Sequence, residues 1–304
     1  MLEIVRFAAE GWRKAETGVL CDSHVATFGC ESLSHLLRLP LDELRAKCVT
    51  PGNRGYARGS VRLLPPVDGG MEIWAAGVTY RASQVERMKE SQSAASIYDL
   101  VYAAARPELF YKASAWQVVG DGEPIAIRAD SAVNVPEPEL AVVINAGGEI
   151  IGFTICNDVS SRTIEGQNPL YLPQAKVYLG SCAIGPSIRP VWEIADPYDL
   201  GIRMMIRRQG DCVWDGMAST RQLRRRFDEL ISYLTHACVF PDGAVLSTGT
   251  CLVPELPFSL AEGDAVDIAI DQIGRLSNGV VRGMAGVEWL VAARDDVQLR
   301  ASSP

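Results

Sequence analysis

Residues 137–158 constrain the fold most, because they contain two apolar, β-branched runs separated by Gly147 and Gly148. Two such runs around a Gly-Gly pair predict a β-hairpin. With the turn centred on these glycines, Glu137 lies ten residues before Gly147 and Asp158 ten residues after Gly148. The two acids then face each other with side chains about 5 Å apart. Glu139, two residues after Glu137, points to the same side of the strand.

The predicted cluster of Glu137, Glu139 and Asp158 has no Lys or Arg within the hairpin sequence to neutralise it. Carboxylates this close repel one another strongly, and a divalent cation is the simplest way to relieve the repulsion. All-oxygen ligation suits Mg²⁺ or Mn²⁺ better than Zn²⁺. An acidic, solvated hairpin end is the alternative that these residues leave open.

The composition is that of an ordinary globular protein, with 304 residues, 22% charged and 48% hydrophobic, and a net charge of −8. Basic residues are scattered apart from a run at 224–226, so no nucleic-acid partner is expected. No apolar run is long enough to span a membrane, and the first residues lack a signal-peptide pattern. The eight cysteines show no CxxC spacing, which predicts reduced thiols in a cytoplasmic protein.

A Pro65-Pro66 pair followed by Val67-Asp68-Gly69-Gly70 is typical of a linker. It predicts a small N-terminal α+β domain over residues 1–66 and a catalytic domain over residues 67–304. Beyond the linker, strand-like runs alternate with turns, and a helix over about residues 220–236 interrupts them. This pattern favours an α+β, mostly β fold with an irregular, barrel-like core.

A dense group of polar residues follows the hairpin, from Arg162 through Glu165 to Lys176. The guanidinium of Arg162 offers a planar fork to a substrate carboxylate. A lysine beside a metal and an enolisable substrate can stabilise an oxyanion or carry a proton, which points to Lys176. Surface charges in a loop are the alternative for Arg162 and Lys176.

Eight short blocks between about residues 70 and 290 carry a resemblance to a known family. They are Gly77-Val-Thr-Tyr80, Phe110-Tyr-Lys112, Gly120-Asp-Gly-Glu-Pro-Ile125, Pro136-Glu-Pro-Glu139, Asn157-Asp-Val-Ser-Ser-Arg162, Gln174-Ala-Lys176, Ser247-Thr-Gly-Thr250 and Ile273-Gly-Arg-Leu-Ser-Asn278. Together they resemble the fumarylacetoacetate hydrolase family. The resemblance implies a mixed, mostly β roll with a small N-terminal domain, assembled as a homodimer or homotetramer.

The resemblance also implies roles for individual residues. Lys176 matches the active-site lysine of the family, and Arg162 matches a site arginine. Thr248 matches a threonine that contacts the substrate carboxylate, and Lys112 is expected among the substrate-binding residues. The Mg²⁺ or Mn²⁺ ligands would be Glu137, Glu139 and Asp158.

Two departures distinguish this chain from the C–C hydrolases of the family, which commonly carry Asn-Tyr-x-x-His-x-x-Glu to activate water. Here Tyr80 is followed by Ser83 in place of the histidine, while Glu86 is retained. A neutral imidazole can take a proton from water at pH 7, and a serine hydroxyl cannot. In addition, Glu165 stands where many hydrolases have glutamine. Both departures resemble the 2-keto-3-deoxy sugar-acid dehydratase branch. In that branch Tyr80, Ser83 and Glu86 would bind the substrate from a closing lid that orients the sugar hydroxyls.

The chemistry of that branch fits a small 2-keto acid substrate. Its carboxylate and C2 carbonyl oxygen would chelate the metal, which acidifies the C3 protons by stabilising an enolate. β-Elimination of the C4 hydroxyl then needs a general acid but no nucleophilic water. For 2-keto-3-deoxypentonate the final product is 2,5-dioxopentanoate, and Lys176 and Glu165 are expected to share the proton transfers.

Two other functions stay open at the level of sequence. One is a related activity, such as an acylpyruvate or diketone hydrolase, a decarboxylase or an isomerase. The other is a non-catalytic relative whose metal only ties the hairpin together.

Overall fold

The computed structural model describes residues 1–29, 32–52, 54–81 and 100–300. Strands predominate, which confirms the predicted α+β, mostly β fold. The strands are β1 (Leu2–Ala9), β2 (Glu16–Cys21), β3 (His24–Thr27), β4 (Gly55–Ala57), β5 (Val61–Leu64), β6 (Glu72–Gly77), β7 (Glu108–Ser114), β8 (Ile125–Ile127), β9 (Asn134–Val135), β10 (Pro138–Ile144), β11 (Ile150–Asp158), β12 (Ser160–Ser161), β13 (Cys182–Pro190), β14 (Gly201–Arg208), β15 (Asp211–Ser219), β16 (Ala244–Ser247), β17 (Ala265–Ile270) and β18 (Gly274–Arg282).

The α-helices with both ends inside the described residues are short. They are α1 (Leu33–Leu36), α2 (Leu41–Val49), α3 (Arg162–Gln167), α4 (Leu172–Lys176), α5 (Phe227–Thr235) and α6 (Trp289–Ala293). Helix α5 is the one predicted near residues 220–236, and a 3-10 turn (Thr220–Gln222) precedes it. No helix in the described part of the chain is long and apolar enough to cross a membrane.

The β10–β11 hairpin lies inside the large sheet. Within the described residues this sheet runs β4-β3-β2-β1-β13-β11-β10-β16-β6-β7, with β5 paired to β1. A second sheet runs β15-β14-β17-β18-β8, and strands β9 and β12 form a small pair. Because both edges of the hairpin are paired, β11 with β13 and β10 with β16, its carboxylates are held by neighbouring strands on each side.

The register of the hairpin confirms the prediction, although the turn does not have the predicted form. Pro138 pairs with Asn157 and Glu139 with Cys156, which continues to Glu137 opposite Asp158. The turn is longer than a Gly-Gly pair, since the Asn145 N–H donates to the Glu149 carbonyl (3.0 Å). A register shift between Val143 and Ile144 compensates for the longer turn.

The two faces of β10 pack against different cores. Leu140 and Val142 join a cluster with residues of the five-stranded sheet such as Ile202. Ala141 and Val143 lie on the face that also carries Glu137 and Glu139, and they join a cluster with the N-terminal helices. The face that is apolar at one end of the hairpin is therefore acidic at the other.

The N-terminal segment is continuous with the large sheet. Strand β1 pairs with β13 at Ile4 and Ile188, and Leu37 and Leu44 of the helical region share a core with Val143. The predicted boundary at residue 66 stays a prediction, but these contacts join the two sides of it. Burial of this shared core should make residues 1–66 unfold together with the rest of the chain.

We expect Leu44→Ala to lower the free energy of unfolding of the whole protein by about 2–5 kcal/mol, because it leaves a cavity in the shared core. The measurement is denaturant unfolding followed by both tryptophan fluorescence and circular dichroism, with coincident curves expected. Val49→Ala, on the same helix but 65% exposed, serves as the control and should change little. Two separate transitions, with only one of them shifted by Leu44→Ala, would instead support an independent N-terminal domain.

Candidate active site

The predicted metal ligands meet at one end of the hairpin. Glu137 directly precedes β10, Glu139 is the second residue of β10, and Asp158 ends β11. One oxygen from each side chain lies within 4.8 Å of the others, and each residue is at most 2% exposed. The N–H of Asp158 donates to the Glu137 carbonyl (3.0 Å). The predicted convergence of the three carboxylates is confirmed.

Strand β16 and the residues after it fix Glu139. The Ser247 hydroxyl donates to Glu139 Oε2 (2.5 Å), and the Gly249 N–H donates to the same oxygen (2.8 Å). Burial, followed by the negative charge of Asp158, raises the pKa of Glu139 well above its usual value, and the hydrogen bond from Ser247 opposes this shift. Glu139 therefore holds a proton more readily than an exposed glutamate does.

Three basic side chains surround the carboxylates. Lys176 Nζ donates to Glu137 Oε2 (2.8 Å) and Asp158 Oδ2 (2.9 Å). Arg162 Nη2 lies 2.9 Å from Glu137 Oε1, and Lys112 Nζ lies 2.6 Å from Asp158 Oδ1. The hairpin sequence contains no basic residue, as noted from the sequence, but the fold brings these three cations to the carboxylates from other segments.

Helices α3 and α4 position the polar group that follows the hairpin. The Ser161 hydroxyl accepts a hydrogen bond from a backbone N–H in the first turn of α3, which fixes the start of this helix. Arg162 and Glu165 are three residues apart on α3, so they lie on the same side, and both are buried. Lys176 ends α4, and its ammonium also donates to Ser160 (2.5 Å). The interpretation of Arg162 and Lys176 as surface charges is wrong.

A narrow cleft opens over the carboxylates, and predicted and unpredicted residues share its lining. The predicted ones are Glu137, Glu139, Asp158, Glu165 and Lys176. The unpredicted ones include Gly77, Glu108, Phe110, Leu172 and Thr250.

Lys112 and Thr248, both predicted to bind substrate, lie behind the cleft rather than in its lining. Lys112 is 1% exposed, and its ammonium is surrounded by Asp158 and by the carbonyls of Val159 (3.2 Å) and Lys176 (2.6 Å). The Thr248 hydroxyl donates to the carbonyl of Leu140 (2.7 Å). Both side chains thus support residues that carry the carboxylates.

The predicted lid falls largely outside the described residues. Ser83 and Glu86 belong to the stretch 82–99, so their predicted roles stay predictions. Tyr80 is described and is fully buried. Burial, followed by the charges of Cys251 and Glu139, raises the pKa of Tyr80 well above its usual value.

Some functional neighbours of the carboxylates are absent from the sequence prediction. Ser247 and Gly249 hold Glu139, and Ser160 accepts from Lys176. Serine and glycine are too common for their type to signal a role. Ser247 and Gly249 flank the predicted Thr248, and Ser160 lies two residues after Asp158. Their closeness in sequence to predicted site residues is the one feature of the sequence that points to them.

The donor set fits a hard divalent cation. Three buried carboxylates offer oxygen ligands and no thiolate or imidazole, as Mg²⁺ and Mn²⁺ prefer. The hydrogen bonds from Ser247 and Gly249 orient Glu139, and Lys112 orients Asp158, as groups around a metal commonly do. Fold and site together form a candidate metal centre at the base of a narrow cleft.

Residues 72–281 match the C-terminal domain of fumarylacetoacetate (FAA) hydrolase, and the chain therefore belongs to the fumarylacetoacetate hydrolase family. It is 51% identical over 215 residues to a probable 2-keto-3-deoxyxylonate dehydratase of Haloferax volcanii, covering 71% of this chain and 73% of that protein. It is 43% identical over 227 residues to the 2-dehydro-3-deoxy-D-arabinonate dehydratase of Saccharolobus solfataricus, covering 73% and 76%.

A solved structure of 2-keto-3-deoxy-D-arabinonate dehydratase, complexed with magnesium and 2,5-dioxopentanoate, has a similar fold. The TM-score is 0.80 at 34% identity, and the alignment covers 93% of this chain and 99% of that one. The fold expected from the resemblance is confirmed over nearly the whole chain.

Removal of the hydroxyl that fixes Glu139 should weaken metal binding. We expect Ser247→Ala to lower the affinity for Mn²⁺ by about 10- to 100-fold, because hydrogen bonds to ligands typically contribute this much. Mn²⁺ binding can be followed by electron paramagnetic resonance. The matched control is Ser277→Ala, which removes an equivalent serine–carboxylate hydrogen bond to Asp267 in the other sheet. Equal affinities of the two variants would contradict the assignment.

The raised pKa of Glu139 predicts that metal binding releases protons. A carboxyl with a raised pKa takes up a proton as pH falls, and this proton competes with the metal. The affinity for Mg²⁺ should therefore increase with pH, by at most about tenfold per pH unit for each proton released. Calorimetric titrations in buffers with different heats of ionisation measure the number of protons released. A heat of binding that does not depend on the buffer would show that Glu139 is already ionised.

Proposed function

We propose that this protein is a Mg²⁺-dependent dehydratase that converts 2-keto-3-deoxypentonate to 2,5-dioxopentanoate. One observation carries the proposal: the cleft that holds the three carboxylates also holds Lys176 and Glu165. The two dehydratase relatives and the dehydratase complex with magnesium support the same chemistry.

Glu137, Glu139 and Asp158 would hold the Mg²⁺. When bound, the ion would polarise the C2 carbonyl of the substrate and so acidify the C3 protons. The three ligands are themselves almost inaccessible to solvent. Arg162 contacts Glu137 and is not part of the cleft lining, so it would hold this ligand and not the substrate carboxylate that the sequence predicted.

Lys176 and Glu165 would share the two proton transfers of the elimination. Both line the cleft, so both reach a substrate seated at the carboxylates. One of them takes a proton from C3, and the other gives a proton to the leaving C4 hydroxyl. The C3–H and C4–O bonds break, water leaves, and tautomerisation then yields the dioxo acid.

Lys112, Thr248 and Tyr80 would act through the residues that they support. Lys112 holds Asp158, and Thr248 holds the backbone of β10 beside Glu139. Tyr80 packs in the core at the start of the predicted lid, whose other members would be Ser83 and Glu86. These assignments differ from direct substrate contact, which the sequence predicted for all three.

A hydrolase is less consistent with the site than a dehydratase. Its usual route needs a histidine to activate water, and the three histidines of the chain are His24, His35 and His236. All three are exposed, and none lines the cleft. Elimination of water needs a base for the C3 proton, but it needs no base that activates a water molecule.

The expected assembly and location are also part of the proposal. A homodimer or homotetramer follows from the family resemblance. The cysteines within the described residues are free thiols, which is consistent with a reducing cytoplasm.

With Mg²⁺, the purified protein should convert 2-keto-3-deoxypentonate to 2,5-dioxopentanoate, and EDTA should stop the reaction. Glu165→Gln should lower kcat by about 10²- to 10⁴-fold, because it removes a proton-transfer group. Product formation can be followed by nuclear magnetic resonance. Glu255→Gln, at an exposed position, is the control. Cleavage of acylpyruvates without any dehydration would refute the proposal.

A further inference from the structure

A buried threonine hydroxyl, that of Thr79, contacts the loop that holds one of the metal-binding carboxylates. Thr79 follows strand β6, and β16 lies between β6 and β10 in the large sheet. The hydroxyl donates to the carbonyl of Thr248, the first residue after β16 (2.6 Å). The N–H (3.1 Å) and hydroxyl (2.7 Å) of Thr248 both donate to the Leu140 carbonyl of β10. Thr248 is thus fixed to the segments on both sides of it.

The two chain neighbours of Thr248 hold the same oxygen of Glu139. The Ser247 hydroxyl and the Gly249 N–H both donate to Glu139 Oε2. Gly249 also packs closely on Thr79, because a Cβ atom at Gly249 would overlap the Thr79 hydroxyl. A shift of the Thr248 carbonyl would therefore move both donors away from the carboxylate.

The backbone makes an unfavourable turn to bring Thr79 to this carbonyl. Strands β6 and β16 run parallel, with Ala75 opposite Ser247. Straight continuation of both strands would carry Thr79 three residues, about 10 Å, beyond Thr248. Instead Val78 adopts a left-handed conformation with a φ of +52°, and the chain turns back. This conformation costs a residue with a side chain about 1–2 kcal/mol.

Contacts on both sides of Val78 maintain this conformation. Gly77 pairs with Glu108 of β7, and the Arg224 N–H donates to the Thr79 carbonyl (3.0 Å). Val78 itself is buried and lines the cleft. Backbone strain of this kind persists where the surrounding structure fixes it, and it concentrates at functional sites. Here it accompanies the placement of the Thr79 hydroxyl on the loop that holds Glu139.

We propose that Thr79 is a positioning residue for the metal centre, because its hydroxyl fixes the Thr248 carbonyl and thereby keeps both donors aligned on Glu139. The inference rests on the proposed role of Glu139 as a metal ligand, and it does not depend on which keto acid reacts. Thr79 is not part of the cleft lining, so it acts through Ser247 and Gly249.

Removal of the Thr79 hydroxyl tests this role with the metal alone. We expect Thr79→Val, which keeps the shape of the side chain, to lower the affinity for Mn²⁺ by about 5- to 10-fold, as loss of one hydrogen bond does. Thr79→Ser keeps the hydroxyl and should bind Mn²⁺ within about twofold of the wild type. Electron paramagnetic resonance of the free ion gives both affinities.

Thr154→Val is the matched control. Thr154 is also completely buried, and its hydroxyl donates to a backbone carbonyl, that of Gly185 (3.4 Å). It lies four residues before Asp158, about 13 Å along β11. The control removes the same kind of bond and should leave the affinity for Mn²⁺ within about twofold of the wild type.

A second variant keeps the test informative if Thr79→Val does not fold. Thr79→Ala also removes the hydroxyl, with a smaller side chain against Gly249, and it should lose affinity to the same extent. For a marginally stable variant, the increase in melting temperature on addition of Mn²⁺ reports the same affinity.

A double variant tests whether Thr79 and Ser247 act on the same ligand. Because both side chains act on Glu139, the loss of affinity in Thr79→Val combined with Ser247→Ala should be smaller than the product of the two separate losses. Losses that multiply fully would show that the two hydroxyls act independently.

Four outcomes would refute the role of Thr79. They are an unchanged Mn²⁺ affinity in Thr79→Val, an equal loss in Thr79→Ser, an equal loss in Thr154→Val, and full additivity with Ser247→Ala. A wild-type protein that binds no Mn²⁺ would refute the proposed metal site and this inference together. Mn²⁺ binding by the wild type with an unaffected Thr79→Val would refute only the role of Thr79.

Discussion

The antiparallel pairing of β10 with β11 is the constraint on which the site depends. It sets Glu137 against Asp158 and places Glu139 on the same face, where all three are nearly inaccessible to water. Buried carboxylates are costly unless cations and hydrogen bonds compensate them. Lys176 and Arg162 provide part of that compensation, and a bound divalent ion would add to it. The elements around the hairpin supply the groups that compensate these buried charges.

The cations come from segments that the pairing alone does not specify. Helices α3 and α4 follow the hairpin and place Arg162 and Lys176 over Glu137. Lys112 comes from β7, which pairs with β6 and not with either strand of the hairpin in the described sheet. A register shift opposite Ile73 and Trp74 leaves Lys112 without a partner in β6, and its side chain reaches Asp158. The negative charges of the site are thus balanced by cations from several separate elements of the fold.

This arrangement explains why the type of a residue predicted whether it lies at the site better than it predicted what the residue does there. Lys112 was expected to bind substrate, yet its ammonium is surrounded by Asp158 and two backbone carbonyls. Thr248 was expected to contact a carboxylate, yet its hydroxyl donates to the backbone of β10. Glu108 carried no sequence signal, yet it lines the cleft. A side chain's role depends on which partner it meets, and those partners are distant in sequence.

The sequence by itself determined the hairpin, its register and the three carboxylates, because alternation of side chains and a glycine turn act over neighbouring residues. It also indicated the mostly β class and the absence of a water-activating histidine at position 83. Only the tertiary structure decided which cations neutralise the carboxylates, how Ser247 orients Glu139, and how strands β1 to β5 extend the large sheet through the pairing of β1 with β13. These contacts join residues tens to more than a hundred positions apart, and no local periodicity encodes them.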